Sequence, residues 1–301
     1  MRPLSVGIQL PEVEWEVPFP ELIRMAQTAE AVGFDSLWLG DHLLYDFPNG
    51  PRGPWEVWTS LAALAASTST ILLGPLVAST SFHAPQMLAK QAATVDAISG
   101  GRLVLGLGAG WNEREYTAFG FPYDNRVSRF EEAFTIIRRL LAGERISVVG
   151  EYYRAADCVL HPRPARTGGV PLMVGSTSPR MLSITLPYVQ SWNVWWSLYG
   201  NTAEGFAVAK AAVDAEVRAC GRSAADVAAT CAVYVQMPDG QGRHNGHDKG
   251  ATQPLRGTPS ELADQLRAFA AAGASHVQLV VDPITLESIE ALAPMLAALD
   301  Q

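Results

Sequence analysis

The sequence predicts a single (β/α)8 TIM barrel with insertions, an α/β fold, over residues 1–301. Apolar strands alternate with amphipathic helices along the chain, the joints between them are mostly short, and no linker of distinct composition divides it. The clearest unit is 71–107, where a buried strand, a helix that begins at Pro85 and stops at Gly100, and a second strand follow each other directly. This order is a βαβ unit, whose two strands run parallel.

The other elements follow from the same periodicities. Continuous apolar runs, typical of strands covered on both faces, predict eight strands at 4–10, 34–39, 71–78, 102–107, 171–175, 191–196, 227–236 and 276–281. Apolar residues at helical spacing lie between them, and a last helix spans 286–299. Insertions follow the fourth strand, where an amphipathic helix carries Phe130 and Leu141, and the seventh, where 238–257 is typical of a loop.

Composition excludes several classes of protein. A hydrophobic content of 48% with 17% charged residues is typical of a globular protein with a large core. The formal net charge of -8 argues against a nucleic-acid surface. No stretch is apolar enough to cross a bilayer and no signal-peptide core is present, so we expect a cytoplasmic protein. Three widely spaced cysteines predict neither a disulfide framework nor a zinc site.

Active sites of such barrels lie just past the carboxyl ends of the strands. Asp41 and His42 follow the second strand, and a histidine beside a carboxylate there favours acid–base chemistry over a structural role. The run GSTSPR at 175–180 follows the fifth strand. Its glycine, hydroxyls, helix N-terminus and arginine are typical of a phosphate-binding loop. The alternative is that Ser178 only caps the helix.

The run GLGAG after the fourth strand is a weak dinucleotide signal. The third glycine of a Rossmann fingerprint would fall at Trp111, so a loop that approaches a planar cofactor is the better interpretation. Tryptophans are numerous, and those predicted to wall a flat pocket are Trp55, Trp111 and Trp192.

The 238–257 loop contains an HxxH pair, His244 and His247, with only Asp248 as a nearby carboxylate. Solvent-exposed side chains are the simpler interpretation, so no metal is predicted.

Four blocks of the sequence resemble the bacterial luciferase-like superfamily of flavin and deazaflavin oxidoreductases, specifically its F420-dependent branch. They are GFDSLWLGDHL (33–43), LLGPLVASTSFHAPQMLAKQAATVDAISGGRLVLGLGAGW (72–111), RFEEAFTIIRRLL (129–141) and GTPSELADQLRAFAAAG (257–273). The resemblance covers nearly the whole chain.

The resemblance implies a tricyclic redox cofactor in the mouth of the barrel. It implies a non-prolyl cis peptide at Leu76–Val77 behind the ring and His42, next to Asp41, at the ring edge. The cofactor's ribityl or phosphate region would contact the backbone of Gly108, Ala109 and Gly110. Its phosphate would be held by Gly175, Ser176, Thr177 and Ser178, with Arg180 as a nearby positive charge.

The predicted function is hydride transfer between coenzyme F420 and a small organic substrate. His42 is the first candidate proton donor or acceptor and Glu113 the second. Sugar-phosphate dehydrogenases of the superfamily carry a glutamate where this chain has Trp111. Two alternatives stay open: an FMN-dependent monooxygenase, since FMN also carries a ribityl phosphate, and a non-catalytic cofactor-binding barrel. The 238–257 loop is a predicted lid, and a homodimer is expected because relatives are often dimers.

Overall fold

The structure, a computed structural model, describes residues 2–164, 166, 168–242 and 252–301. In chain order its strands are β1 (Ser5–Gln9), β2 (Ser36–Leu39), β3 (Tyr45–Phe47), β4 (Gly50–Arg52), β5 (Leu72–Pro75), β6 (Ala78–Ser79), β7 (Leu105–Gly108), β8 (Ile146–Val149), β9 (Arg154–Cys158), β10 (Leu172–Gly175), β11 (Ser191–Val194), β12 (Ala228–Gln236) and β13 (His276–Asp282). Its helices are α1 (Phe19–Val32), α2 (Val57–Ser67), α3 (Pro85–Ile98), α4 (Glu113–Phe119), α5 (Arg126–Leu141), α6 (Pro179–Thr185), α7 (Trp196–Tyr199), α8 (Ala203–Ala219), α9 (Pro259–Ala271), α10 (Leu286–Ala291) and α11 (Ala293–Leu299).

The predicted barrel is confirmed. Nine strand segments form one parallel sheet in the order β5-β2-β1-β13-β12-β11-β10-β7-β6. The two end segments, β5 and β6, are successive parts of the same stretch of chain, and both lie beside β7 or the residues just before it. The sheet therefore closes on itself, so that none of its described strands is left as a free edge. Two antiparallel hairpins, β3–β4 and β8–β9, stand outside the barrel.

The core lies between the barrel and its ring of helices. Helix α1 buries Leu22, Met25 and Ala29, at the spacing that places them on one face. Helix α5, in the insertion after β7, buries Phe130 and Phe134, whose rings stack 5.7 Å apart. Burial of a side chain of this size contributes about 1.5–3 kcal/mol, so these faces hold the helices against the sheet.

The structure corrects several predicted boundaries. The third strand is interrupted, because a cis peptide bond joins Leu76 to Val77 between β5 and β6. The last helix is two helices, since Pro294 lies in the first turn of α11 and cannot donate the backbone hydrogen bond that would continue α10. The sixth strand ends at Val194, where the chain turns into α7. The short helix α4 was not predicted.

In the described part of the chain, none of the helices combines the length and apolar character that a membrane span requires. The predicted HxxH pair, His244 and His247, and the 243–251 part of the predicted lid lie outside the described residues. Leu255, from the described part of that loop, pairs with Val235 of β12.

Candidate active site at the carboxyl rim

A cavity of about 550 Å³ opens at the carboxyl ends of the barrel strands. Its lining comes from the ends of β1, β2, β6, β7, β10 and β11 and from the loops that follow them. This volume lies within the range of small-molecule sites, and the carboxyl rim is where such barrels carry their chemistry. We call this end the carboxyl rim and the opposite end the amino rim.

One wall of the cavity is built by the Leu76–Val77 peptide, which is cis as the family resemblance implied. The Val77 side chain occupies the space beside two glycines. A Cβ at Gly108 would lie 2.8 Å from Val77 Cγ2, and a Cβ at Gly175 would lie 3.0 Å from Val77 Cγ1. Glycines at the ends of β7 and β10 therefore make room for a protein side chain, a role that the dinucleotide-like pattern did not indicate.

Gly110 is required for a different reason. Its φ of +74° is left-handed, and a Cβ there would lie 2.0 Å from Tyr116 Oη and 2.5 Å from Ser79 Oγ. Tyr116 Oη donates to the Ala109 carbonyl at 2.8 Å. The loop after β7 is thus held in place by Tyr116 and Ser79.

Asp41 is buried near this loop. It accepts a 2.8 Å hydrogen bond from the Ser79 amide, which ties the loop after β2 to β6.

His42 lies between two carboxylates on the cavity wall. Its Nδ1 lies 3.0 Å from Oε2 and 3.1 Å from Oε1 of Glu115. Its Nε2 lies 3.8 Å from Oε1 of Glu12. Burial acts to lower the pKa of His42, but the negative charges of Glu12, Glu115 and Asp41 oppose it, and the net result is a raised pKa. The site therefore favours the imidazolium form, which can donate a proton.

Glu12 is itself held by two donors. Tyr45 Oη donates to its Oε1 at 2.7 Å, and Gln9 Nε2 donates to its Oε2 at 3.0 Å. Gly40 packs against the same carboxylate, since a Cβ there would lie 2.9 Å from Glu12 Cδ. A carboxylate is thus positioned beside His42 by donors from the end of β1 and the start of β3.

Glu113, the second candidate acid, is exposed at the start of α4 and does not line the cavity. The buried acid on that helix is Glu115, two positions on, which does line it. Successive positions on a helix are about 100° apart, so residues two apart point in different directions. Because α4 was not predicted, the inward direction of Glu115 could not be inferred from the residues alone.

The predicted phosphate loop is only partly inside the cavity. Gly175 and Ser176 line it, whereas Thr177, Ser178 and Arg180 are exposed beyond it. The Ser178 side chain makes no capping hydrogen bond to α6, so the structure does not support the simple-cap alternative. The Ser178 amide donates to Ser176 Oγ at 3.1 Å. Arg180 donates to Ser128 Oγ at 2.9 Å and pairs with Glu131 at 3.2 Å.

The three predicted tryptophans have different positions. Trp111 lines the cavity, and its ring meets the His42 ring edge-on at 5.5 Å. Trp55 is exposed and lies away from the cavity, where its Nε1 donates to the Val17 carbonyl. Trp192 is fully buried behind the site and donates to the Ser176 carbonyl at 2.7 Å. The wall after β11 is formed instead by Trp195.

Comparison with known proteins identifies the family to which the chain is similar. Residues 5–245 match the family described as luciferase-like monooxygenase. The chain is 36% identical over 167 residues to the F420-dependent glucose-6-phosphate dehydrogenase of Microbacterium testaceum, a match covering 53% of this chain and 47% of that protein. It is 31% identical over 208 residues to the 5,10-methylenetetrahydromethanopterin reductase of Archaeoglobus fulgidus, covering 69% of this chain and 58% of that protein. The matches thus span about half the length of these curated relatives.

Solved structures share the fold. An F420-dependent secondary alcohol dehydrogenase, solved with an F420–acetone adduct, superposes with a TM-score of 0.83 at 17% identity and covers 99% of both chains. At that identity the likeness shows the barrel architecture with its insertions.

Proposed function

We propose the following function because the chain belongs to the luciferase-like monooxygenase family, whose match covers residues 5–245. The chain is an oxidoreductase that uses coenzyme F420 to transfer a hydride to or from a small organic substrate. Support for F420 comes from the 36% identity to an F420-dependent dehydrogenase. When bound, F420 supplies a carrier of two electrons and one hydrogen, while the protein binds, orients and handles protons.

The observation that carries the proposal is His42 between Glu12 and Glu115, on the wall of a cavity large enough for a ring system. Hydride transfer to a carbonyl or alkene carbon requires a proton for the neighbouring atom, and the reverse reaction requires its removal. His42 is the group that donates or accepts that proton. Asp41 ties down the loop that carries it.

The cavity fits a flat cofactor. Leu76 and Val77 line one wall, where the Val77 side chain occupies the space beside Gly108 and Gly175, so that wall presents an apolar surface to a flat ring. Residues 108–110 would contact the sugar-alcohol or phosphate region. Gly175 and Ser176, with the exposed hydroxyls of Thr177 and Ser178, would hold the phosphate, and Arg180 would add attraction at longer range.

Trp111 and Trp195 would enclose a substrate on the side of His42. Trp111 occupies the position where sugar-phosphate dehydrogenases of the superfamily carry a glutamate, so we infer a substrate other than a sugar phosphate. The homodimer, the cytoplasmic location and the 238–257 lid stay predictions.

A second candidate keeps the fold and replaces F420 with FMN, as the description of the matching family as monooxygenase suggests. Titrating the protein with each cofactor and following the quenching of ring fluorescence separates the two. We expect F420 to bind at least about tenfold more tightly than FMN, a difference of about 1.4 kcal/mol. Tight FMN binding without F420 binding would overturn the first choice.

A pair of variants shows whether binding occurs in the proposed cavity. Ser176→Trp places a large ring at the cavity wall and is expected to weaken F420 binding at least about tenfold by steric exclusion. Val208→Trp, on the exposed face of α8, is the control and should bind as the unaltered protein does. Equal weakening by both variants would argue against this site. Binding of F420 without reduction of any ketone, enone or aldehyde in a panel would favour the non-catalytic barrel.

A further inference from the structure

We propose that Glu115 is a positioning residue for His42: its carboxylate holds the proton on Nδ1 and leaves Nε2 as the atom that exchanges a proton with the cavity. The reaction that this arrangement serves rests on the proposed function. The coupling between the two side chains is a property of the protein alone, so it can be tested without cofactor or substrate.

The geometry of Glu115 supports this role. The residue is only 1% exposed, and both of its oxygens lie within 3.1 Å of His42 Nδ1. An ionised carboxylate only accepts hydrogen bonds, so Nδ1 must be the donor. The orientation of the carboxylate is fixed in turn, because its Oε1 also accepts from the backbone amides of Leu43 and Leu44. A second group that orients an imidazole in this way determines which ring nitrogen carries the proton.

The other groups around His42 give Nε2 an environment that differs from that of Nδ1. Glu12, from the segment after β1, lies 3.8 Å from Nε2, which is too long for a direct hydrogen bond. Asp41 adds negative charge from the same loop as His42. Tyr45 lies against the imidazole at 4.9 Å between ring centres, and its hydroxyl donates to Glu12. Among the described residues, Nε2 thus faces negative charge on the wall of the cavity with no hydrogen-bond partner.

Glu115 could instead serve only to hold the loop after β2 against α4. The structure offers a matched control for that possibility. Asn112, at the start of the same helix, donates through Nδ2 to the Leu44 carbonyl at 2.9 Å. It therefore fixes the same loop without contacting the imidazole. A structural role predicts similar behaviour of variants at 112 and 115, whereas a positioning role predicts that only Glu115 affects the proton equilibrium of His42.

The experiment is a pH titration of the His42 ring by nitrogen-15 and proton NMR in the full-length protein, with assignments from His42→Gln. In Glu115→Gln the amide oxygen can still accept from Leu43 and Leu44, while the amide nitrogen faces Nδ1. The proton affinity of His42 is expected to fall at least about tenfold, because a negative charge is replaced by a neutral donor. Asn112→Ala should leave it unchanged, and Glu115→Asp should restore it in part.

The unaltered protein gives a second, independent result, which matters if Glu115→Gln does not fold. Above the pKa of His42, the neutral ring should carry its proton on Nδ1. A neutral ring protonated on Nε2 would overturn the proposal. So would a Glu115→Gln variant that folds and titrates like the unaltered protein, because that result would reduce Glu115 to the structural role shared with Asn112.

Kinetics link the coupling to the reaction. In F420-linked turnover, Glu115→Gln should lower kcat about tenfold or more with little change in F420 affinity, and Asn112→Ala should not. Unchanged kcat in Glu115→Gln would overturn the catalytic part of the proposal. If the unaltered protein binds no F420, the proposed function fails while the NMR result still decides the role of Glu115.

Discussion

The two rims of the barrel each hold a histidine in a low-solvent environment, and the pKa values of these residues shift in opposite directions. At the carboxyl rim, burial opposes protonation of His42 but three carboxylates favour it, and its pKa is raised. At the amino rim, burial lowers the pKa of His276 to about 4, against the opposing negative charge of Asp35. Desolvation is common to both sites, so the neighbouring charges decide the sign of the shift.

The hydrogen bonds agree with this difference. Trp38 Nε1 can only donate, and it donates to Ser36 Oγ at 2.7 Å. Ser36 Oγ in turn lies 2.7 Å from His276 Nε2, so the hydroxyl is oriented to donate to an unprotonated ring nitrogen. The hydrogen bond from Ser36 therefore favours the neutral form of His276, whereas the close partner of His42 among the described residues is the Glu115 carboxylate at Nδ1.

Arg102, at the amino rim, has an acceptor for each of its guanidinium nitrogens. Its guanidinium donates to Thr68 Oγ1 and to the carbonyls of Ala65, Thr68, Ile71 and Ser99, all within 2.9 Å. These acceptors lie at the ends of α2 and α3 and just before β5, so Arg102, which precedes β7, joins these elements. The guanidinium of Arg102 thus binds other parts of the protein, whereas His42 lies on the wall of a cavity. We infer that Arg102 stabilises the fold and that His42 performs chemistry.

The largest effect should come from removing the imidazole at the carboxyl rim. His42→Gln should lower kcat for F420-linked turnover by about 10²–10⁴-fold, the usual contribution of a positioned acid or base. His276→Gln should leave kcat per folded molecule unchanged. Steady-state kinetics with F420 measures both variants. A similar loss of kcat in the two would remove the functional distinction between the rims.

The next effect concerns the stability of the amino rim. Arg102→Met keeps the length of the side chain but leaves several buried carbonyls without a donor, and should lower the free energy of unfolding by about 4 kcal/mol. Urea unfolding followed by tryptophan fluorescence measures this. Arg114→Met, which loses only an exposed ion pair with Asp46, is the matched control and should cost less than about 1 kcal/mol. Equal costs would contradict the structural role of Arg102.

The smallest effect is a pH dependence of opposite sign at the two rims. The pKa of His276 is lower in the folded protein, so its contribution to stability is complete above about pH 6.5 and is lost as the pH falls through about 4, a change of about 3 kcal/mol at most. His42 has a raised pKa, so its contribution is complete below its unfolded pKa and is lost as the pH rises through the folded one.

Urea unfolding at several pH values separates these contributions. His276→Gln should reduce the loss of stability between pH 7 and pH 4, and His42→Gln should reduce the loss on the alkaline side. If His276→Gln follows the acid curve of the unaltered protein, His276 does not titrate as the structure implies.

The sequence predicted the fold well because barrel strands and helices carry local signals. The βαβ unit at 71–107, the capping box at Thr258 and the proline-led helix at Pro85 were all found in the structure. The cis peptide at Leu76–Val77 came from family resemblance and is confirmed, although no local pattern in the residues specifies it. The helix α4 was missed because it is short and follows directly on a glycine loop.

The candidate site was predicted less completely. Strand-end position identified Asp41 and His42, and the structure brings both to the cavity. The two partners of His42 were missed because both are distant from it in the sequence. Glu12 precedes His42 in the chain, and Glu115 follows it by 73 positions. Glu113 stays a prediction, but it is exposed and does not line the cavity, whereas Glu115, which the sequence analysis did not consider, is buried and lines it. Only the direction of each side chain on α4 distinguishes the two glutamates.

The order of the amino acids determined the barrel and the position of His42 at its carboxyl rim. The spacing of apolar residues and the ends of strands can be recognised from neighbours a few positions apart. The tertiary structure alone decided that the pKa of His42 is raised and that of His276 is lowered. A pKa depends on the charges within a few ångströms, and those charges come from segments that meet only when the barrel closes.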